Sequence, residues 1–174
     1  SVNVFWQRPQ TYYDKDAWRG TWELDGGALM NQASHYVDLL YWLNGPIKSV
    51  SAQSATIGRN IEVEDTIVMN LSWTNGSLGT MAVTMLTYPE NIEGSFTILG
   101  EKGTVRIGGK SVNNIDIWKF DTEHEDDLNL NSCNTDPQNI YGFGHYMFYK
   151  NMLVDMQGEA KAICNGEEGM RRLE

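Results

Sequence analysis

Gly26-Gly27-Ala28-Leu29-Met30-Asn31-Gln32-Ala33-Ser34-His35-Tyr36-Val37-Asp38-Leu39-Leu40-Tyr41-Trp42-Leu43-Asn44-Gly45-Pro46 is the stretch around which this chain is organised. Two glycines open it, and Gly45-Pro46 closes it in the way helices commonly stop. At about 100° per residue, Leu29, Ala33, Tyr36, Val37 and Leu40 fall within one face roughly 100° wide, which predicts a core contact. Asn31, His35, Asp38 and Trp42 fall on the opposite face, within about 40° of a common line. A purely solvated face rarely sets a Trp in line with a His. This second stripe is expected to close over a ligand.

The chain has 174 residues, 41% of them hydrophobic, enough for a single globular domain with a real core. Its net charge of −10 argues against a nucleic-acid backbone or an anionic membrane as a general partner. Basic residues at a small site can still grip a phosphate or carboxylate. No apolar run approaches the roughly 18 residues of a membrane span, and the start carries no signal-peptide pattern. Cys133 and Cys164 have no metal-type spacing, so a reduced, cytoplasmic protein is expected.

Before the helix, residues 2–6 read as a strand that begins abruptly and is ended by Arg8-Pro9-Gln10. Residues 11–23 read as an irregular loop dense in aromatics and charges, with Tyr12, Tyr13, Trp18, Arg19 and Trp22. Aromatic rings beside an arginine give a polar, planar or cyclic ligand a stacking surface and a fork for its carboxylate or phosphate. Rings that merely roof the core beside the helix fit the composition equally well.

After the helix the pattern turns to strands. Residues 47–57 are bounded by Pro46 and Gly58, and residues 66–73 alternate, with Ile67, Met69, Leu71 and Trp73 on one side. Asn75-Gly76 is a strong hairpin signal, with residues 78–88 as the partner strand up to Pro89. Residues 95–99 and 104–107 form a second hairpin around Gly100-Glu101-Lys102-Gly103, and residues 111–120 a further strand. Consecutive strands without intervening helices predict an antiparallel or mixed sheet. Residues 121–137 are acidic and read as a mobile surface loop, a solvated charge run rather than a metal site at His124. Residues 144–157 read as a helix whose Tyr146, Tyr149, Leu153 and Met156 are expected to pack on the sheet, and residues 165–174 start a helix the chain does not finish.

There is no G-x-G-x-x-G after a strand, no phosphate-loop lysine, no G-x-S-x-G, no H-E-x-x-H and no EF-hand pattern. His35 remains the plausible acid–base group in a structured setting, with Asn31 one turn earlier to orient it or a substrate hydroxyl. An imidazole titrating near neutrality suits removal of a proton from an alcohol as its hydride leaves. A lone helical His is also commonly structural, and both readings stand on the residues alone.

Trp18-Arg19-Gly20, Gly26-Gly27-Ala28-Leu29-Met30-Asn31-Gln32 and His35-Tyr36-Val37-Asp38-Leu39-Leu40-Tyr41-Trp42-Leu43-Asn44-Gly45, in that order, resemble the C-terminal domain of the glucose–fructose oxidoreductase / inositol dehydrogenase / rhizopine catabolism (Gfo/Idh/MocA) family. The order of elements agrees over essentially the whole chain: helix, long meandering sheet, Gly100-Glu101-Lys102-Gly103 turn, terminal helix, and Gly166-Glu167-Glu168-Gly169. The family's usual triplet of glycines is Gly26-Gly27-Ala28 here.

The resemblance implies an α+β domain, a large, mostly antiparallel sheet with helices on one face. It implies that residues 1–174 form a single C-terminal substrate-binding and oligomerisation domain, a piece of a two-domain enzyme whose N-terminal Rossmann domain, with the bound NAD or NADP and the family's catalytic lysine, is absent from this chain. The abrupt first strand and the unfinished last helix agree. The family's catalytic His matches His35. The position four residues earlier, often Asp, is Asn31, a neutral amide that cannot relay charge and is expected to hydrogen-bond substrate or cofactor. An Asn there is similar to the branch that oxidises C3 of UDP-N-acetyl-glucosaminuronate. The expected parent is thus an NAD(P)-dependent dehydrogenase of a nucleotide sugar. His35 would handle the hydroxyl proton, and Asn31, Arg19, Trp18 and Tyr13 would position the sugar. No cofactor-binding or metal-ligating residue is expected in this chain, which alone would be inactive. The family implies a homodimer or homotetramer through the sheet face. The alternatives are a non-catalytic oligomerisation or ligand-binding module of the same fold, or a dehydrogenase for a free sugar or inositol.

Overall fold

A computed structural model of the chain describes residues 1–135 and 143–171. Strand β1 (Val2–Phe5) buries Val2 and Val4 and leaves their neighbours half-buried, the period-2 signature of a strand with one face on a core. A short helix, α1 (Gln10–Asp14), follows Pro9, so the expected irregular loop begins with a turn of helix. The long helix expected from the central stretch is divided in two: a π-helical turn at Ala28–Gln32, then α2 (Ser34–Asn44). The break is at Ala33, whose backbone leaves the helical region (φ −114°, ψ 4°) while its N–H reaches both Ala28 O (3.0 Å) and Leu29 O (3.2 Å). The wide turn changes the register, so Asn31 and His35 are not related by the i, i+4 step of a straight helix.

Six further strands follow: β2 (Ile47–Ala55), β3 (Thr66–Trp73), β4 (Leu78–Thr84), β5 (Glu93–Gly100), β6 (Gly103–Gly108) and β7 (Asn114–Phe120). They join β1 in one seven-stranded sheet in the order β2-β3-β4-β1-β5-β6-β7. Pairing is antiparallel throughout except between β1 and β4, where Val2 lies beside Met81 in parallel register. The mostly antiparallel sheet is as expected. β4 ends at Thr84 rather than continuing to residue 88; past it the Met85 N–H still bonds the Asp65 carbonyl (2.9 Å), and Leu86 makes only an isolated bridge with Gln7.

One face of this sheet carries the core. Val2, Val4, Ile67, Met69, Leu71, Trp73, Met81, Val83 and Phe96 meet Ala28, Ala33, Tyr36 and Leu40 from the π turn and α2. Leu29 and Val37 pack against the rim, so the apolar face read from the sequence is the one buried.

The chain divides into two compact units, Ser1–Asn134 and Thr135–Glu174. The acidic stretch in the first is not a plain loop: it holds a 3₁₀ turn (Glu125–Asn129) and a single helical turn, α3 (Leu130–Cys133). Asp127 organises it, accepting Trp118 Nε1–H and the His124 backbone N–H (both 2.8 Å), bonds that hold its carboxyl below the usual range. The second unit holds α4 (Gly144–Met156) and α5 (Gly166–Arg171). Tyr146, Tyr149, Leu153 and Met156 of α4 are each more than half exposed. The last two residues of the expected acidic loop and the last three of the terminal helix lie outside the described residues.

Candidate functional site

His35 is the second residue of α2, and aromatic packing sets its place. Tyr36 beside it is fully buried and stacks on Phe96 of β5 (5.4 Å between centroids, 13° between planes). Trp6, just past β1, meets Tyr36 edge-on at 5.9 Å and lies 5.7 Å from the His35 ring. The His35 and Tyr36 rings are 4.7 Å apart. The start of α2 is thereby pinned to two neighbouring strands by rings, and the imidazole sits at the rim of that cluster with an edge still open to solvent. Partial desolvation lowers the His35 pKa below its ordinary value of 6.5, while the negative charge of Asp38 opposes the shift. The group is predominantly neutral at neutral pH, the state a proton acceptor needs.

Asn31 lies in the π turn, half-buried, and its side-chain NH2 donates to Asp25. The other Asp25 oxygen accepts the Gly20 N–H at 2.6 Å, tying the π turn to the aromatic loop. In that loop the Arg19 guanidinium lies 4.1 Å from the Tyr12 ring centroid and 5.3 Å from that of Trp18. It also donates to the Tyr12 carbonyl (2.9 Å) and the Asp16 carboxylate (3.0 Å). Gln32 donates to the Tyr12 hydroxyl at 3.1 Å. Tyr13, by contrast, is buried, edge-on to Tyr12 at 5.1 Å, and burial followed by the Asp25 charge pushes its phenol up to about 12.

Of the residues singled out in sequence, Arg19 lies against both Trp18 and Tyr12, and Asn31 is linked to this loop through Asp25 and Gly20. His35 is connected through Trp6 and then Arg8, whose guanidinium is 5.2 Å from Trp6 and 5.4 Å from Tyr12. Tyr13 stands behind this wall rather than on it. Trp6, Arg8, Tyr12, Asp25 and Gln32 were not singled out as site residues. Tyr12 and Gln32 lie inside stretches already marked as important, whereas Trp6 and Arg8 belong by a non-local contact with no local signal.

The β2–β3 connection holds the site from behind. Glu64 caps the π turn twice, its carbonyl accepting Ala28 N–H (3.0 Å) and its carboxylate Leu29 N–H (2.9 Å). Glu62 accepts Trp22 N–H at 3.1 Å. That connection is in turn built on Asp65, fully buried, which accepts backbone N–H groups of Ile57, Gly58 and Arg59 at 2.8 to 3.1 Å and the Thr66 hydroxyl at 3.1 Å. Gly27, at φ +86°, has no room for a side chain, because one would begin inside the Glu64 carboxylate.

Residues 1–106 match the model of the GFO/IDH/MocA C-terminal domain. The chain belongs to this family. It is similar over 99% of its length to the WlbA dehydrogenase from Chromobacterium violaceum, solved in complex with NADH and UDP-GlcNAcA, at 57% identity and a TM-score of 0.92, covering 48% of that chain. The WlbA dehydrogenase from Bordetella pertussis, also solved with NADH and UDP-GlcNAcA, is 56% identical with a TM-score of 0.93, covering 99% of this chain and 50% of that one. At 14% identity and a TM-score of 0.62, UDP-N-acetylglucosamine 3-dehydrogenase GnnA from Acidithiobacillus ferrooxidans shares the fold over 99% of this chain and 49% of its own. No curated protein sequence matches. The chain spans about half the length of each of these solved proteins. Among its described residues no three His, Cys, Asp or Glu side chains are grouped to hold a metal ion, and no helix is long and apolar enough to cross a membrane.

Proposed function

We propose that residues 1–174 are the substrate-binding, His35-bearing C-terminal domain of an NAD(P)-dependent dehydrogenase that oxidises a sugar hydroxyl, with UDP-N-acetyl-glucosaminuronate as the substrate. The observation that carries this reading is the neutral, aromatic-flanked imidazole of His35, connected by ring contacts to the wall formed by Arg19, Tyr12 and Trp18. The identity to two dehydrogenases solved with UDP-GlcNAcA and NADH supports the substrate class.

The described residues contain no glycine-rich strand–turn–helix unit able to cradle a pyrophosphate. In the parent, a bound nicotinamide supplies the hydride acceptor. The part of this chain is to hold the sugar and move its proton. The His35 imidazole takes the hydroxyl proton as the carbonyl forms, Asn31 hydrogen-bonds the sugar, and Arg19 and Trp18 offer it a cationic and a stacking surface, with Tyr13 backing Tyr12. The sheet face opposite α2, where Val68, Asn70 and Thr80 are exposed, is the association surface of a homodimer or homotetramer in the cytoplasm.

The test is turnover of UDP-N-acetyl-glucosaminuronate with NAD and with NADP by the full-length parent and its His35→Ala variant. On this reading the variant loses about 10²–10⁴-fold in turnover, the usual worth of a positioned acid–base group, with assembly unchanged. A variant that turns over like the parent removes His35 from the chemistry and leaves a binding or assembly module of the same fold.

A further inference from the structure

The Asn31 carboxamide is not free to choose which end it presents. Ionised Asp25 only accepts hydrogen bonds, so the side chain of Asn31 must meet it with its NH2. Asp25 is itself fixed. Its second oxygen holds the Gly20 N–H at 2.6 Å, its own N–H bonds the Thr21 carbonyl at 3.1 Å, and Gly26 N–H bonds the same carbonyl at 3.2 Å. Gly26 and Gly27 then turn the chain, both at positive φ, directly into the turn that carries Asn31. The carboxylate therefore comes from a closed loop whose geometry owes nothing to a ligand. On the other end of the amide, Asn31 Oδ1 accepts no hydrogen bond among the described residues and is not among their buried unpartnered atoms.

We infer that Asp25 is a positioning residue that locks the Asn31 carboxamide with its carbonyl oxygen toward the sugar, so that Asn31 selects a sugar group that donates a hydrogen bond, a hydroxyl or an acylamino N–H, over one that only accepts. An unlocked amide could flip to suit either partner; a locked one cannot. The selection is by an unmet acceptor: a sugar lacking the donor leaves Oδ1 desolvated and unpaired. The carboxylate that the sequence lacks at position 31 is supplied one step back, from the loop, where it orients rather than relays.

The inference rests on the functional reading above for the identity of the ligand, so binding is measured apart from turnover. UDP-N-acetyl-glucosaminuronate is titrated into the full-length protein and into Asp25→Asn, Asn31→Ala, the double variant D25N/N31A and the exchanged pair D25N/N31D, with melting curves as the control for folding. D25N and N31A each weaken binding about tenfold, with kcat changed less than KM. D25N/N31A is no weaker than N31A, because Asp25 acts only through Asn31, and D25N/N31D regains most of the loss by returning a fixed acceptor to position 31. Additive losses near a hundredfold, or D25N binding like the parent, overturn the inference. A second arm needs no variant at Asp25. The parent binds the 4-O-methyl or the N-methyl analogue of the sugar at least tenfold more weakly, and N31A abolishes that preference; equal binding of both analogues by the parent overturns it. Coupling between positions 25 and 31 with turnover independent of His35 would sink the functional reading alone. Turnover that needs His35, with positions 25 and 31 uncoupled, would sink this inference alone.

Discussion

The hydroxyl of Tyr36 fills the space in which a side chain at Gly94 would begin. Tyr36 is fully buried and its hydroxyl has no hydrogen-bond partner among the described residues, so what holds it is shape: a glycine on β5 beneath, Phe96 stacked alongside, Trp6 at its edge. Because His35 is its neighbour in α2, the position of the imidazole depends on a glycine remote in sequence. Gly94→Ala is expected to destabilise by about 1–3 kcal/mol, the usual cost of overpacking, and to lower turnover of the full-length enzyme. Tyr36→Phe in the same background should recover part of both losses, since it removes the atom in conflict. Thermal melting and initial rates of the three proteins decide this, and a G94A protein that melts like the parent would contradict it.

The pH dependence of the parent should carry the signature of a depressed histidine. Burial lowers the His35 pKa below 6.5, so the neutral imidazole persists into more acidic solution and the acid limb of kcat/KM falls below pH 6.5. Trp6→Ala re-solvates the ring and moves that limb up; Asp38→Asn removes the charge favouring the imidazolium and moves it further down. The stability sign follows. The folded state binds fewer protons than the unfolded one between the two pKa values, so stability rises with pH up to about the ordinary histidine value. His35→Ala should flatten that rise, which denaturation at a series of pH values will show.

Gly27 and Glu64 make a backbone prediction. A side chain at φ +86° is strained, and here it would also displace the carboxylate that caps Leu29 N–H. Gly27→Ala is expected to cost about 2 kcal/mol or more, and Glu64→Ala about 1 kcal/mol through the lost cap. Because both act on the same contact, the double variant should cost less than the sum of the single ones in chemical denaturation.

Asp65 is the test of the support behind the site. Asp65→Ala leaves the N–H groups of Ile57, Gly58 and Arg59 without their acceptor and is expected to cost about 3–5 kcal/mol. Hydrogen exchange should accelerate at those three amides and at Ala28 and Leu29, which the same connection holds through Glu64. Acceleration confined to residues 57–59 would mean that the π turn does not depend on this support.

Local pattern carried far in this chain. The period-2 run at Ile67, Met69, Leu71 and Trp73 is β3, with those four side chains buried, and Asn75-Gly76 lies in the turn to β4. The apolar face of the central helix is the face in the core. Where reading along the chain failed, a distant segment had intervened. The helix breaks at Ala33 to make a π turn whose first N–H groups go to Glu64, a partner outside any local window. Tyr13 and Tyr12 are indistinguishable by type and neighbourhood, yet packing buries the first and leaves the second to Arg19 and Gln32.

The sequence by itself determined the central helical stretch and the face of it that meets the core, the alternation of β3, the turn at Asn75-Gly76, and the family to which the motif around His35 points. Those properties depend on side-chain period and backbone propensity, which act between residues a few positions apart. Only the tertiary structure decided that β1, first in the chain, lies between β4 and β5, that Trp6 therefore reaches His35, and that Asp25 orients Asn31. These depend on which surfaces meet when the sheet closes over its core, a choice made by the shape and burial of the whole rather than by any stretch of it.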